Sequence, residues 1–195
     1  MKPPAPRRRA RQQTKRRRGT ARIGLDIVVD SRLWQLERGV RAWLRRALRE
    51  AAAMAATKGG ELAIVLTDDS AIRALNRDWR GKDKATNVLS FPAPIHSHPG
   101  NAPPLARPHL MGDIVIAYET AAREAQAEGR PFQHHLAHLA VHGFLHLLGH
   151  DHASDAEADA MEALEIAVLA RLEVPNPYRA SSRSPAEEGR KGEGA

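Results

Sequence analysis

The chain contains no cysteine, which excludes two kinds of stabilising chemistry. Neither a disulfide nor a thiolate metal ligand can form, so any bound metal must be held by histidine, aspartate or glutamate. No run of residues approaches the roughly 20 apolar residues of a membrane-spanning helix, and the basic N-terminal segment is not followed by the apolar stretch of a secretion signal. These absences predict a cytoplasmic protein that enters no membrane.

Acidic residues are absent from residues 1–22, which contain ten of the chain's 30 lysines and arginines. The remaining residues carry 20 basic against 23 acidic side chains, so the formal charge of +7 comes from this segment. A segment rich in proline and arginine without apolar periodicity is predicted to be a disordered arm. Such an arm can neutralise phosphates without sequence specificity. The alternative explanation is a solubilising tail with no dedicated partner.

The rest of the sequence predicts one domain at 23–173, followed by a disordered tail at 174–195. Strands are predicted at 23–29, 61–67, 87–91 and 110–117, and helices from Trp34 to before Gly59, over a short segment ending at Trp79, and at 119–128, 131–148 and 154–173. This order predicts an α+β fold in which a single small mixed β-sheet is covered by helices.

The most informative segment is HGFLHLLGHDH, residues 142–152. His142 and His146 lie four residues apart on a predicted helix, so both rings lie on one face and can share an ion. Gly149 is predicted to end the helix in a left-handed conformation, so that the chain reverses and His152 approaches from outside. Three imidazoles with an open fourth position are typical of a catalytic zinc site.

Four other histidines lie close to this motif. His138 precedes His142 by four residues but has no third ligand for an earlier pair, so it is predicted to lie in the core or beside the ligands. His134 and His135 are predicted to be exposed. His150 lies in the same turn as His152 and is the alternative third ligand, although the spacing from the glycine favours His152.

The pattern H-x3-H-x2-G-x2-H equals the zinc signature of metzincin peptidases, with one difference. Those enzymes carry glutamate as the general base directly after the first histidine, and here that position is Gly143. Without a base to activate water against a carbonyl, peptide hydrolysis is disfavoured. The sequence therefore predicts the same metal site acting on another substrate.

A second candidate segment, WRGKDKATN at residues 79–87, is rich in cationic side chains. Arg80 offers a planar guanidinium to a phosphoryl group, and Lys82 and Lys84 add point charges. The alternative interpretation is an ordinary solvated loop, since charged loops are common on protein surfaces.

Taken together, the strings WRGKDKATNVLSFP, MGDIVIA and HLAVHGFLHLLGHDH resemble the YbeY-type endoribonucleases, bacterial ribosomal RNA maturation factors, over residues 25–172. The resemblance implies one zinc ion on His142, His146 and His152, catalytic roles for Arg80, His142 and His146, and a metal-bearing helix distantly like that of zinc peptidases. It implies single-strand-specific cleavage of RNA in 16S ribosomal RNA 3′-end maturation and in ribosome quality control. The implied partners are ribosomal RNA, ribosomal particles and ribosomal or ribosome-associated proteins.

The sequence departs from the family pattern at Ala85, where proline is usual, and at His150, where tyrosine is frequent, and its loop from 93 to 109 is long. Two other functions compete with RNA cleavage. A zinc-stabilised ribosome-assembly factor that binds without cutting is favoured by the missing general base, since Asp151 is better placed to orient a ligand. A metallopeptidase is disfavoured by Gly143. Water and the RNA 2′-hydroxyl both stay open as the nucleophile.

Overall fold

The computed structural model describes residues 23–94, 109–151 and 154–179. The predicted arm at 1–22, most of the long loop after strand 88–92, and His152 lie outside these ranges. The predicted tail at 174–195 overlaps them at its start. Val174 is buried and the Tyr178 ring contacts His138 of the histidine-rich helix, so the packed domain continues to at least residue 178.

Four strands form one sheet in the order β1-β2-β4-β3. They are β1 Ile23–Val29, β2 Gly60–Thr67, β3 Val88–Pro92 and β4 Leu110–Ala117. The first three strands in this spatial order pair in parallel, and β3 pairs antiparallel with β4 at the edge. The predicted small mixed sheet and the α+β class are therefore confirmed.

Five α-helices accompany the sheet within the described ranges. They are α1 Val40–Met54, α2 Asp69–Arg80, α3 Tyr118–Ala127, α4 Phe132–Leu147 and α5 Asp155–Arg171. None of these helices is long and apolar enough to cross a membrane. The capping box predicted at the start of α5 is present, since Ser154 and Glu157 each accept the other's backbone N–H.

The predicted long helix beginning at Trp34 is wrong, because the chain forms two separate elements there. A 3-10 helix spans Arg32–Leu36, and α1 begins only after Gly39, whose φ of +79° is left-handed and interrupts the helical hydrogen bonds. The turn lets the Trp34 indole pack in the core and donate from Nε1 to the Thr67 carbonyl at 2.7 Å.

The two faces of the sheet are packed differently. On one face, Ile64 and Ile114 belong to the main core with α1, α4 and α5. On the other face, Ile72 of α2 packs against Leu89 and Val115. Because neighbouring residues on a strand face opposite sides, these two groups lie on opposite faces. The sheet therefore separates α4, the histidine helix, from α2, the helix that ends at Arg80.

Candidate metal centre

The histidine helix ends as the sequence predicts. Gly149 has a φ of +86°, and its N–H donates to the His146 carbonyl at 3.0 Å, while the His150 N–H donates to the Leu145 carbonyl at 3.1 Å. This pair of bonds is the Schellman arrangement, which requires a left-handed residue that glycine adopts without strain. The chain consequently turns away from the helix axis directly after the second histidine of the motif.

His142 and His146 face each other on α4. Their Nε2 atoms lie 3.1 Å apart, and the ring centroids lie 4.6 Å apart. Two nitrogens bound to one tetrahedral zinc at about 2.0–2.1 Å would be separated by about 3.3 Å. The pair is therefore spaced to hold a single ion between its two ring nitrogens.

A buried carboxylate from α5 orients the first of these rings. Glu165 is fully buried, and its Oε1 lies 2.8 Å from Nδ1 of His142. Burial alone would raise the pKa of Glu165, but hydrogen bonds from His138, His142 and Tyr178 outweigh it and lower the pKa to about 2. An ionised carboxylate only accepts hydrogen bonds, so Nδ1 of His142 carries the proton and Nε2 keeps its lone pair for a metal.

Two further side chains complete the surroundings of Glu165. Nε2 of His138 lies 3.2 Å from Oε2, and the Tyr178 hydroxyl donates to the same oxygen. Burial and the negative charge of Glu165 both raise the pKa of Tyr178, so its hydroxyl stays a donor. His138 and the predicted ligand His142 thus contact the same carboxylate, that of Glu165. This agrees with the prediction that His138 lies in the core or beside the ligands.

The position that carries glutamate in metzincin peptidases is packed against the sheet. A Cβ on Gly143 would lie 2.9 Å from Ser90 Oγ and 3.1 Å from Ile114 Cγ2. The Ser90 hydroxyl also donates to the Gly143 carbonyl at 3.1 Å, which holds α4 close to β3. A larger side chain at this position would have to shift the Ser90 and Ile114 side chains, and with glycine there the helix presents no general base next to His142.

The third predicted ligand, His152, lies outside the described residues. Within the described ranges, no group of three or more histidine, aspartate or glutamate side chains is arranged to hold a metal ion. The structure thus brings together the first two predicted ligands, and the choice between His150 and His152 stays a prediction.

Arg80 is the last residue of α2, and its guanidinium is exposed at the surface. It forms no hydrogen bond or ion pair with another residue in the described part of the chain, and α2 lies on the far face of the sheet from the histidines. The structure therefore does not itself place Arg80 in contact with the pair. Gly81, with a φ of +68°, ends the helix directly after it.

The cationic loop after Arg80 is held in place rather than merely solvated. Arg73 donates to both carboxylate oxygens of Asp83, at 2.8 and 2.9 Å. The buried Asn76 donates to the Lys84 carbonyl at 2.8 Å. The side chains of Lys82 and Lys84 remain exposed, so the loop presents positive charge on a defined backbone.

The end of this loop is tied to the histidine helix through Glu124 of α3. Its Oε2 accepts from Asn87 Nδ2 at 2.8 Å and lies 3.0 Å from Nε2 of His135. The prediction that His135 is exposed is wrong, since only 4% of its surface is accessible. The carboxylate of Glu124 gives the imidazole a partner inside the protein, which allows its burial. His134 is half-buried.

Sequence reasoning missed Glu165, Tyr178 and Glu124. For Glu165 a signal was available, because it lies among Met161, Val168 and Leu172 at helical spacing on the buried side of α5. A carboxylate in such a stripe needs a partner, and unassigned histidines are the natural candidates. Tyr178 and Glu124 carried no comparable signal.

Two facing imidazoles on one helix, with a buried carboxylate behind the first of them, are an arrangement found in catalytic metal sites. The model of the family "Endoribonuclease YbeY" matches residues 29–173 of the chain. The chain belongs to this family.

Several bacterial relatives are similar over most of their length. The endoribonuclease YbeY of Rhodopseudomonas palustris strain BisB18 is 54% identical over 160 residues, which cover 81% of this chain and 94% of the relative. That of Nitrobacter hamburgensis is 53% identical over 161 residues, covering 81% and 83%. That of a Bradyrhizobium strain is 50% identical over 155 residues, covering 78% and 90%. The solution structure of TM1509 from Thermotoga maritima matches with a TM-score of 0.46 at 20% identity, covering 84% of this chain and 99% of its own.

Proposed function

We propose that this chain is a zinc-dependent endoribonuclease that cuts single-stranded RNA in the cytoplasm, in 16S ribosomal RNA 3′-end maturation and ribosome quality control. The observation that carries the zinc dependence is the paired geometry of α4. The two Nε2 atoms of His142 and His146 lie 3.1 Å apart, and Glu165 fixes the tautomer of the first ring. Family membership supports RNA as the substrate.

His142, His146 and His152 would hold one zinc ion. Bound there, zinc supplies a Lewis acid for a phosphate oxygen and lowers the pKa of water from about 15.7 toward about 7. The protein's own contribution is to orient the donors. Glu165 keeps the proton on Nδ1 of His142, which leaves Nε2 as the atom that faces the ion.

Arg80 would act on the charge that develops at the phosphorus during cleavage. Its guanidinium is exposed and makes no ion pair with the described residues, so it is available to a ligand. Lys82 and Lys84 would bind neighbouring phosphates as point charges. The bonds of Asn87 to Glu124, and of Glu124 to His135, connect this loop to the metal-bearing helix and support a common site.

The direct test uses the full chain and end-labelled RNA that contains both a duplex and a single-stranded segment. We expect cleavage in the single-stranded segment, loss of cleavage with a chelator, and recovery when zinc is restored. Cleavage that persists after zinc has been removed to background would overturn the zinc dependence. The product ends identify the nucleophile, because a 2′,3′-cyclic phosphate requires attack by the 2′-hydroxyl.

A zinc-stabilised ribosome-assembly factor that does not cut is the second candidate. The packing of Gly143 against Ser90 and Ile114 favours it, since the helix offers no carboxylate next to His142 as a general base. The same experiment separates the two functions. Zinc-loaded protein that binds ribosomal RNA or ribosomal particles but leaves every labelled strand intact would support the assembly factor and exclude the nuclease.

A further inference from the structure

The face of the sheet opposite the histidine helix carries a groove of about 1020 Å³. Its floor is a row of residues that the strand register aligns across all four strands, in the order Asp26, Ala63, Asp113 and Phe91. α2 borders it through Leu75 and Trp79. The groove therefore lies behind the sheet and has no part in the metal centre.

The groove carries negative charge that none of its described lining residues balances. Asp26, Glu61 and Asp113 are among its lining residues, and the lining residues that the structure describes include no lysine, arginine or histidine. Their carboxylates form no hydrogen bond or ion pair with another residue in the described ranges. Asp26 and Asp113 lie two strands apart, which corresponds to about 10 Å. This spacing fits two cationic side chains of one extended segment.

Aromatic and aliphatic surface lies beside these carboxylates. Trp79 is 72% exposed, although its ring packs edge-on against Phe91 at 5.8 Å, and Leu110 is 60% exposed. Arginine is suited to such a surface, because its guanidinium stacks on aromatic rings and its alkyl stem covers apolar atoms. Carboxylates next to exposed rings thus favour an arginine-rich occupant over a purely apolar one.

The chain contains such a segment directly before the groove residues in sequence. Residues 1–22 hold ten lysines and arginines and no acid, and they lead directly into Ile23, one residue before Gly24 of the groove lining. Arg16, Arg17 and Arg18 precede Ile23 by five to seven residues. Extended chain spans about 3.3 Å per residue, so these arginines can reach both aspartates and the Trp79 ring.

We propose that the basic segment 1–22 binds within the same molecule to this groove, with Arg16–Arg18 placed against Asp26, Asp113 and Trp79. In this state the segment's cations are paired with protein carboxylates and are not available to nucleic acid. RNA would have to compete for them. The inference does not depend on the proposed nuclease activity, because it rests on Asp26, Asp113 and Trp79, none of which is assigned to cleavage.

The test measures distances from the segment to the groove by NMR in the full chain. The chain contains no cysteine, so Gln13→Cys provides one attachment point for a nitroxide spin label. At low salt we expect strong broadening of the Ala63 amide and the Trp79 indole signals, relative to the reduced label. In Asp26→Asn/Asp113→Asn we expect at least half of the lost intensity to return, since both substitutions are isosteric at exposed positions.

The matched control is Asp159→Asn/Glu173→Gln, which changes the net charge equally at exposed positions in and after α5. It should leave the broadening as strong as in the unsubstituted chain. A tethered segment that does not bind would broaden the same signals equally in all three proteins, and this outcome overturns the proposal. Broadening of an unlabelled ¹⁵N chain by a labelled chain at equal strength also overturns it, because the contact would then join two copies.

Discussion

The two faces of the sheet differ in whether their carboxylates are buried and paired or exposed. On the helix-covered face, the buried Glu165 accepts from three neighbours and holds His142 in one orientation. On the opposite face, called the open face because α2 covers only part of it, Asp26 and Asp113 lie exposed beside Trp79, and no cation is among the groove residues that the structure describes. A buried carboxylate needs a partner within the protein, whereas an exposed one is solvated by water and can bind a ligand later. The covered face is therefore suited to fixed chemistry, and the open face to exchangeable contacts.

His146→Ala is expected to have the largest effect on the covered face. It removes one of the two facing imidazoles, so the purified protein should lose most of its zinc and its RNA cleavage should fall to background. His134→Ala on the same helix is the matched control and should keep both. Metal analysis of the two variants decides the point, and full zinc retention in His146→Ala would reject the site.

Arg80→Lys tests whether the helix on the other face contributes to the same reaction. The substitution keeps the charge but loses the planar pair of donors, so single-turnover cleavage should fall by about 10²- to 10³-fold, the typical cost of losing one transition-state donor. Zinc content and RNA affinity should stay near their original values. Arg77→Lys, three residues earlier on α2, should be silent.

Wild-type cleavage by Arg80→Lys would assign Arg80 to the solvated surface. Loss of zinc in this variant would instead mean that the two faces are coupled through the metal centre. The first result would confine the reaction to the histidine face, whereas the second would join the two faces in one site.

Glu165→Gln should have an intermediate effect confined to the covered face. The amide keeps the size of the side chain but cannot accept from His142, His138 and Tyr178 as a carboxylate does. Zinc affinity should fall by about 10- to 100-fold, the usual cost of removing the partner of a metal-bound imidazole. A titration with a competing chelator measures it, and Glu162→Gln, one turn earlier on α5, is the control. Equal zinc affinity in both variants would show that Glu165 is only structural.

The smallest effect is expected from Arg16→Gln/Arg17→Gln/Arg18→Gln in the N-terminal segment. Because these side chains can contact phosphates without positioning a scissile bond, RNA binding should weaken a few-fold and its salt dependence should flatten. For single-stranded RNA the slope of log affinity against log salt should fall by up to about 2, if all three contact phosphates. The cleavage positions should not move. A shifted cleavage site would show that the segment belongs to the active site.

Much of the fold followed from local patterns. Runs of β-branched residues predicted the strands, and apolar residues at helical spacing predicted most helices. Each pattern indicates the face that a single element buries. The left-handed Gly149 was also predictable, since the helix had to end before the third histidine of the motif. The prediction failed at Trp34. The helical spacing of apolar residues continues across Gly39, but the helical backbone conformation is interrupted there.

The sequence by itself determined that two histidines share one helical face, that a glycine ends that helix, and that the chain's excess positive charge lies in its first 22 residues. These follow from spacing and composition, which need no knowledge of neighbouring elements. Only the tertiary structure decided that Glu165 orients His142, that Tyr178 reaches the same carboxylate, and that His135 is buried against Glu124. These contacts join residues that lie 11 to 23 positions apart along the chain, in different segments of the fold. Their formation depends on how α3, α4 and α5 pack together, which no local pattern encodes.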